Sequence, residues 1–407
     1  MQGIIDFIVG LGIPLVDEGV ARLIAYVVLA SLIAVLAPGS LVILTWLERK
    51  IIARIQRRIG PNRAGPFGLL QGIADMVKMF TKEDITPAKA DRLIYNIAPG
   101  LAVISSIMAM AIIPFAPGFA GTKLNVGVLY IIAIGGLGTL AILMGGWASD
   151  NKYALLGAFR VVAMLLAYEI PMVIALVVVT LVAGSMSMVD IVVAQTSFPL
   201  GWNVFALPLA FLIFFVAGVA ETGRSPFDLI EAESEIIAGF HTEYSGIKFG
   251  LFMIGEYVHM FALAFFTAVL FFGGWQIPFV PADILPAPLA NLVGFAALLV
   301  KTFIFVFIMM WFRGTLPRFR IDHLLDFCWK FLVPVSLVLV IAVAIVVRLF
   351  APVSGVPWGR AGEVAALLAV NVIVAGASLV IVTRLARQSR SRGLKAVTAV
   401  EAAPASK

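Results

Sequence analysis

Nine apolar stretches of roughly 20 residues decide what this chain can fold into. A segment inside a bilayer has no water to satisfy its backbone, so it must be helical or part of a closed barrel. The stretches fall near 21–46, 98–116, 126–147, 157–183, 202–220, 248–272, 288–312, 327–350 and 361–384. They are long and continuous rather than alternating, which selects helices. The 407 residues are 62% hydrophobic and only 13% charged, about half the charge of a soluble domain. The expected fold is therefore all-α, a polytopic transmembrane helix bundle of about nine spans. Residues 1–384 form a single transmembrane domain, and 385–407 form a basic tail. After Gly393 that tail is rich in Ala, Val, Pro and Ser without periodicity, and is expected to be disordered. The first span contains Pro38, which predicts tilt or a kink. Residues 1–16 lack the basic start of a cleaved signal peptide and are too short to cross. They read as a helix lying at the interface.

Lys and Arg predict the orientation. The loop 48–97 carries Arg49, Lys50, Arg54, Arg57, Arg58, Arg63, Lys78, Lys82, Lys89 and Arg92. The loop 313–326 adds Arg313, Arg318 and Arg320, and the tail adds Arg384, Arg387, Arg390, Arg392, Lys395 and Lys407. The opposite loops hold little beyond Lys123 and Arg360. With nine spans all the basic segments share one side, which puts the N-terminus outside and the C-terminus in the cytoplasm.

Several function classes are disfavoured by what the chain contains. Cys328 is the single cysteine, and His241, His259 and His323 are the three histidines. A metal or iron–sulfur site built by this chain alone is not expected. The Gly135-Gly136-Leu137-Gly138 run lies inside a span and follows no strand, so it reads as small-residue helix packing, with no nucleotide site. No nucleic-acid partner is expected.

The charged residues that remain are concentrated. From Glu48 to Gly68 the chain carries Gly60-Pro61-Asn62 and Gly65-Pro66, two successive tight turns. A helix is then predicted from Pro66, with Phe67, Leu70, Ile73, Ala74, Val77 and Phe80 on its apolar stripe and Asp75, Lys78 and Lys82 off it. Anchoring to headgroups explains its charges; a docking surface for a partner explains the elaborate turns as well. Further on, Glu221, Arg224, Asp228, Glu231, Glu233 and Glu235 cluster in one loop. Asp228, Glu231 and Glu235 share a helical face, for which pairing with the basic 48–97 loop is the expectation. Glu169, next to Pro171, lies near the middle of the fourth span. Glu256, Tyr257 and His259 lie in the sixth span, and Lys301 in the seventh. Ionisable groups at such depth are costly and mark function by default. They read as a proton path, with Lys301 a candidate cationic partner for one of the acids. Ion pairs that merely join helices are the structural alternative.

Two motifs resemble one family. The run Glu48-Arg49-Lys50…Arg58-Ile59-Gly60-Pro61-Asn62…Gly65-Pro66…Asp75…Lys78…Lys82-Glu83 is similar to the segment after the first helix of the H subunit of NADH-quinone oxidoreductase. That is the quinone-site membrane subunit of respiratory complex I. The run Glu221-Thr222-Gly223-Arg224-Ser225-Pro226-Phe227-Asp228…Glu231-Ala232-Glu233-Ser234-Glu235 resembles its second signature, with Gly223 where the family usually has Asn. The resemblance covers about residues 20–350.

It implies a multi-pass subunit of a bacterial plasma (inner) membrane that carries no redox centre and has no catalytic residue of its own. Its substrate would be a quinone, ubiquinone or menaquinone. FMN and iron–sulfur clusters would sit in partner subunits: the soluble quinone-site and iron–sulfur subunits, with small membrane subunits leading to antiporter-like ones. Arg49, Arg58, Ala74, Asp75, Lys78 and Arg224 would line or support a quinone tunnel opening to membrane lipid. Glu169, Glu221, Asp228, Glu231, Glu233, Glu235 and Glu256, with Tyr257, His259 and Lys301, would couple quinone reduction to proton translocation. The membrane subunit of a related hydrogenase or of an oxidoreductase with another donor, and a cation/proton antiporter, are the competing classes. An antiporter predicts broken-helix repeats, which the sequence does not show.

Overall fold

The computed structural model describes residues 18–117, 119–120, 123–195, 201–229, 238–277, 286–350 and 360–401. In chain order α1 spans Glu18–Ile55, followed by a short 3-10 turn, Pro66–Gly68, and the surface helix α2, Gln71–Thr81. Next come α3 (Arg92–Met110), a small antiparallel pair of Pro114–Ala116 with Phe119–Ala120, α4 (Gly127–Ala148) and α5 (Lys152–Ala183). Three short helices follow: α6 (Met188–Ala194), α7 (Asn203–Ala206) and α8 (Pro208–Glu221). Then come α9 (Gly246–Phe271), α10 (Ala287–Thr315), α11 (Ile321–Phe327), α12 (Val333–Phe350) and α13 (Arg360–Glu401). A π-turn over Cys328–Leu332 joins α11 to α12, so 321–350 runs as one span.

Eight stretches among the described residues are helical, long and apolar enough to cross a membrane. The ninth expected span, 202–220, is divided instead. Pro208 has no N–H to continue a helix, and Leu207 before it leaves the helical region at φ −128°, ψ 53°. The 14-residue α8 is too short to cross alone. Phe211 in its first turn lies 5.5 Å from Phe271 at the end of α9, and its last residue, Glu221, lies beside His259, part-way along that helix. The bundle is thus eight long helices and one short one.

Three further differences have local causes. Helix α1 continues nine residues past its expected end at 46, because no helix breaker appears before Gly60-Pro61. This carries Glu48 and Arg49 into the helix. Pro66 opens only a 3-10 turn; Phe67 and Gly68 have φ of 54° and 80°, and α2 begins at Gln71. A Cβ at Gly68 would lie 2.2 Å from the Pro61 carbonyl oxygen, so the two turns can close on each other only with glycine there. Helix α13 extends to Glu401, through a stretch expected to lack order, where Ala, Arg, Gln, Lys and Leu are all good helix formers. The interfacial helix expected over 1–16 lies outside the described residues.

Helix α9 is the central pillar. In its apolar window 78% of the residues are buried, against 12% for α1 and 11% for α13. It packs on α3, α10, α1 and α8. Where lipid replaces water, helices gain from close backbone approach at small residues. Gly255 sits against Ala102 of α3 and Gly218 against Leu263 of α9. Ser106 of α3 donates to the Gly255 carbonyl at 2.8 Å, tying the two helices at the level of Glu256.

Candidate functional site

The overrun of α1 and the turn that follows α8 bring four charges together between the helices. Arg224, 2% exposed, follows the turn that ends α8. Its Nη1 donates to both Glu48 oxygens, at 3.1 and 3.3 Å. Its Nε lies 3.4 Å from Glu256 of α9, and its guanidinium stacks on the Tyr257 ring at 4.3 Å. Arg313, in the last turn of α10, donates to Glu48 as well. Two guanidinium groups thus face two carboxylates in a nearly dry setting, where each charge needs the others. Gly223 makes the turn possible with φ 63°. Glycine reaches that region freely and asparagine better than most residues, so glycine where the resembling family has Asn leaves Arg224 in place.

A second cluster lies one turn along α9. His259 Nε2 is 3.6 Å from Glu221 Oε1, at the last residue of α8. Glu169 of α5 is half-buried, and Glu221 is the neighbouring charge that it feels. Between the clusters lies a cavity of about 90 Å³ lined by Glu256, His259, Glu221, Thr222, Ser105, Ser106 and Thr139, with His241 at its wall. Leu165, Ile142, Phe252 and Met253 line much of the rest, and the hydroxyl and carboxylate groups give water partners on the polar side. His241 differs from His259. It is packed against Phe240 and Phe249 without an acid partner among its ring contacts, and burial pushes its imidazole down to about 4, so it is neutral near pH 7.

The surface segment forms its own group. Arg49 pairs with Asp75 at 2.7 Å, Gln71 donates to Asp75 at 3.2 Å, and Lys78 lies 4.0 Å from it. Gly72 of α2 abuts Val42 of α1, and Met79 abuts Gly250 of α9. Ile73, Ala74, Val77 and Phe80 of the helix are exposed, as is Phe67 in the turn before it. Arg49 and Arg58 line an open groove with Gly60 and Pro61.

Other residues are placed differently from expectation. Asp228 is buried and pairs with Arg318, in the loop after α10, at 3.0 Å. Glu231, Glu233 and Glu235 lie outside the described residues. Lys301 meets no acid among its described partners. It donates to the carbonyls of Phe272, Gly274 and Gln276 at 2.7, 2.9 and 2.6 Å, and lies 4.4 Å over the Trp202 ring. The chain past α9 turns at the depth of mid-α10, where its free carbonyls need a donor. Gln195, Asn203 and Gln276 serve the same turn: Gln195 bonds Val269 and Gly273, Asn203 bonds Leu270, and Gln276 bonds Val192.

Sequence reasoning passed over Glu48, Arg313 and Arg318 as site residues. The available signals were an acid at the inner end of the first span and basic residues at the close of the seventh. Among the described residues no group of three or more His, Cys, Asp or Glu could hold a metal ion.

Eight helices of membrane length, joined by ion pairs, define a multi-pass membrane protein. Comparison makes the class specific: the chain belongs to the NADH dehydrogenase family, whose model matches residues 27–344. It is 48% identical over 300 residues to the H subunit of NADH-quinone oxidoreductase from Geobacillus kaustophilus, covering 74% of this chain and 87% of that protein. The protein of the same name from Dehalococcoides mccartyi is 48% identical over 298 residues, 73% of this chain and 80% of that one. That from Vesicomyosocius okutanii is 42% identical over 339 residues, 83% and 94% of the respective chains.

Proposed function

We propose that this chain is the membrane subunit of a proton-pumping NADH:quinone oxidoreductase, where it forms the membrane-side part of the quinone tunnel and couples quinone reduction to proton translocation. FMN and iron–sulfur clusters belong to the soluble partners, and the chain itself contributes no redox centre. The observation that carries the reading is the cavity flanked by Glu256 and Glu221, with the Glu48–Arg224–Glu256 cluster on one side and the Glu221–Glu169 pair on the other. Carboxylates this close influence one another's charge. A change at the Arg224 end therefore reaches Glu169 without any long-range movement.

The surface group supplies the quinone side. Helix α2 exposes an apolar stripe beside a groove lined by Arg49 and Arg58. A quinone with an isoprenoid tail would enter from lipid along the stripe and meet polar groups beyond it. The names of the relatives support this over a hydrogenase subunit or an antiporter.

The exchanges Glu169→Gln and Glu256→Gln together keep shape and remove charge. In the assembled complex the double variant should lose quinone-linked turnover and proton translocation together, while electron transfer to an artificial acceptor upstream of the quinone persists. Normal turnover with normal proton yield would leave both acids as structural and refute the route. Orientation belongs to the same proposal. The basic loops and tail face the cytoplasm, so a reporter fused after Lys395 should read cytoplasmic; a periplasmic signal would invert the assignment.

A further inference from the structure

We propose that His259 is the proton-relay residue of the cavity, carrying protons between Glu256 and Glu221, and that it sets the pH dependence of coupled turnover. This rests on the acid route described above and adds to it the group that joins its two halves. Glu221 and Glu256 sit on different helices, α8 and α9, and line the same cavity from two sides. His259 follows Glu256 by three residues, on the same face of α9, and its Nε2 lies 3.6 Å from Glu221. Among the described residues it places a titrating nitrogen next to one acid and a helix turn from the other.

The surroundings leave the role to this ring. Glu221 faces it from α8, Glu256 from its own helix, and Arg224 stands behind Glu256. His241 faces the cavity from the 239–241 turn, wrapped by Phe240 and Phe249. Helices α3 and α4 present Ser105, Ser106 and Thr139, which hydrogen-bond but do not titrate in the working range. Ser105 donates to the Ala102 carbonyl and Ser106 to the Gly255 carbonyl, so each retains its oxygen as an acceptor toward the cavity.

The step is simple to balance. A proton on the Glu256 carboxyl leaves its O–H bond, crosses by cavity water and forms an N–H bond at Nδ1 of the ring, which starts as the Nε2–H tautomer and regains it afterwards by exchange with the same water. The Nε2–H bond breaks, and that proton forms an O–H bond on the Glu221 carboxylate. One positive charge moves and no electrons are exchanged. An imidazole suits this because its two nitrogens point in different directions and its ordinary titration lies near neutral pH.

The test uses the assembled complex with His259→Asn and His259→Gln, which keep one polar contact to Glu221 and cannot titrate. Quinone-linked turnover and proton yield are measured across the acid-to-alkaline range around neutrality. Both variants should lose turnover by roughly tenfold, less than the ~10²–10⁴ of a direct general acid–base, since water in the cavity offers a bypass. Their profiles should also lose the limb that titrates near neutral pH. The variant His323→Gln, on the outer helix α11, should keep the parental profile. A uniform drop with an unchanged pH profile would make His259 structural and overturn the proposal. Failure of both variants to assemble would do the same. If His259→Asn and His259→Gln are normal while the Glu169→Gln, Glu256→Gln pair is impaired, the acid route stands and only the histidine relay falls.

Discussion

The middle and the C-terminal end of α9 both hold charge in an apolar setting, and they use it in opposite ways. Around Glu256, two guanidinium groups and two carboxylates meet, and a cavity continues toward Glu221 and His259. At the Phe271 end, Lys301 is enclosed by three backbone carbonyls and an indole ring. The first arrangement contains several groups that can share or move a proton. The second contains one cation whose donors are all spent on a turn that would otherwise leave carbonyls bare. Depth in the membrane marks a charge as expensive; only its partners show whether the charge is for transfer or for fastening.

The comparison breaks most sharply at Arg224. Replacing it by Gln leaves Glu48 and Glu256 buried with one guanidinium fewer, and losing one partner of such a pair typically costs about 3–5 kcal/mol. Arg224→Gln should therefore lower the thermal midpoint of the purified complex markedly and abolish quinone-linked turnover. An assembled variant with parental stability and turnover would show that Arg313 alone holds Glu48, and that the cluster is not coupled.

A smaller effect is expected at the Phe271 end. Lys301→Met keeps the length of the side chain but leaves carbonyls unpaired, at about 1–3 kcal/mol for each buried group so orphaned. The midpoint should fall, while turnover and proton yield per assembled complex stay at the parental level. Loss of proton yield in a fully assembled Lys301→Met complex would move Lys301 into the relay and erase the contrast between the two regions.

The helical spans, the amphipathic stripe of α2 and the position of Glu169 and Glu256 within long apolar helices were legible without a structure. Each of these depends on spacing along one helix and on hydrocarbon thickness, which are local quantities. The Arg49–Asp75 pair joins two helices and was not marked by any spacing along one of them. The partner of Lys301 could not be found this way, because the deciding groups are backbone carbonyls, which every residue carries and no pattern marks. Glu48 was hidden for another reason: the end of α1 had to be known before its side chain could be placed inside the bundle.

The sequence by itself determined that this chain is an all-helical membrane protein with charges at a few fixed depths, because a bilayer permits little else to so apolar a chain. Only the tertiary structure decided which charges meet. Pro208 shortens α8, α1 overruns its apolar stretch, and Gly223 turns the chain back. Together these bring Glu48, Arg224, Glu256 and Arg313 from four segments to one point. Such a meeting depends on how helices stop and cross, and that is set by packing across the whole bundle rather than by any one segment.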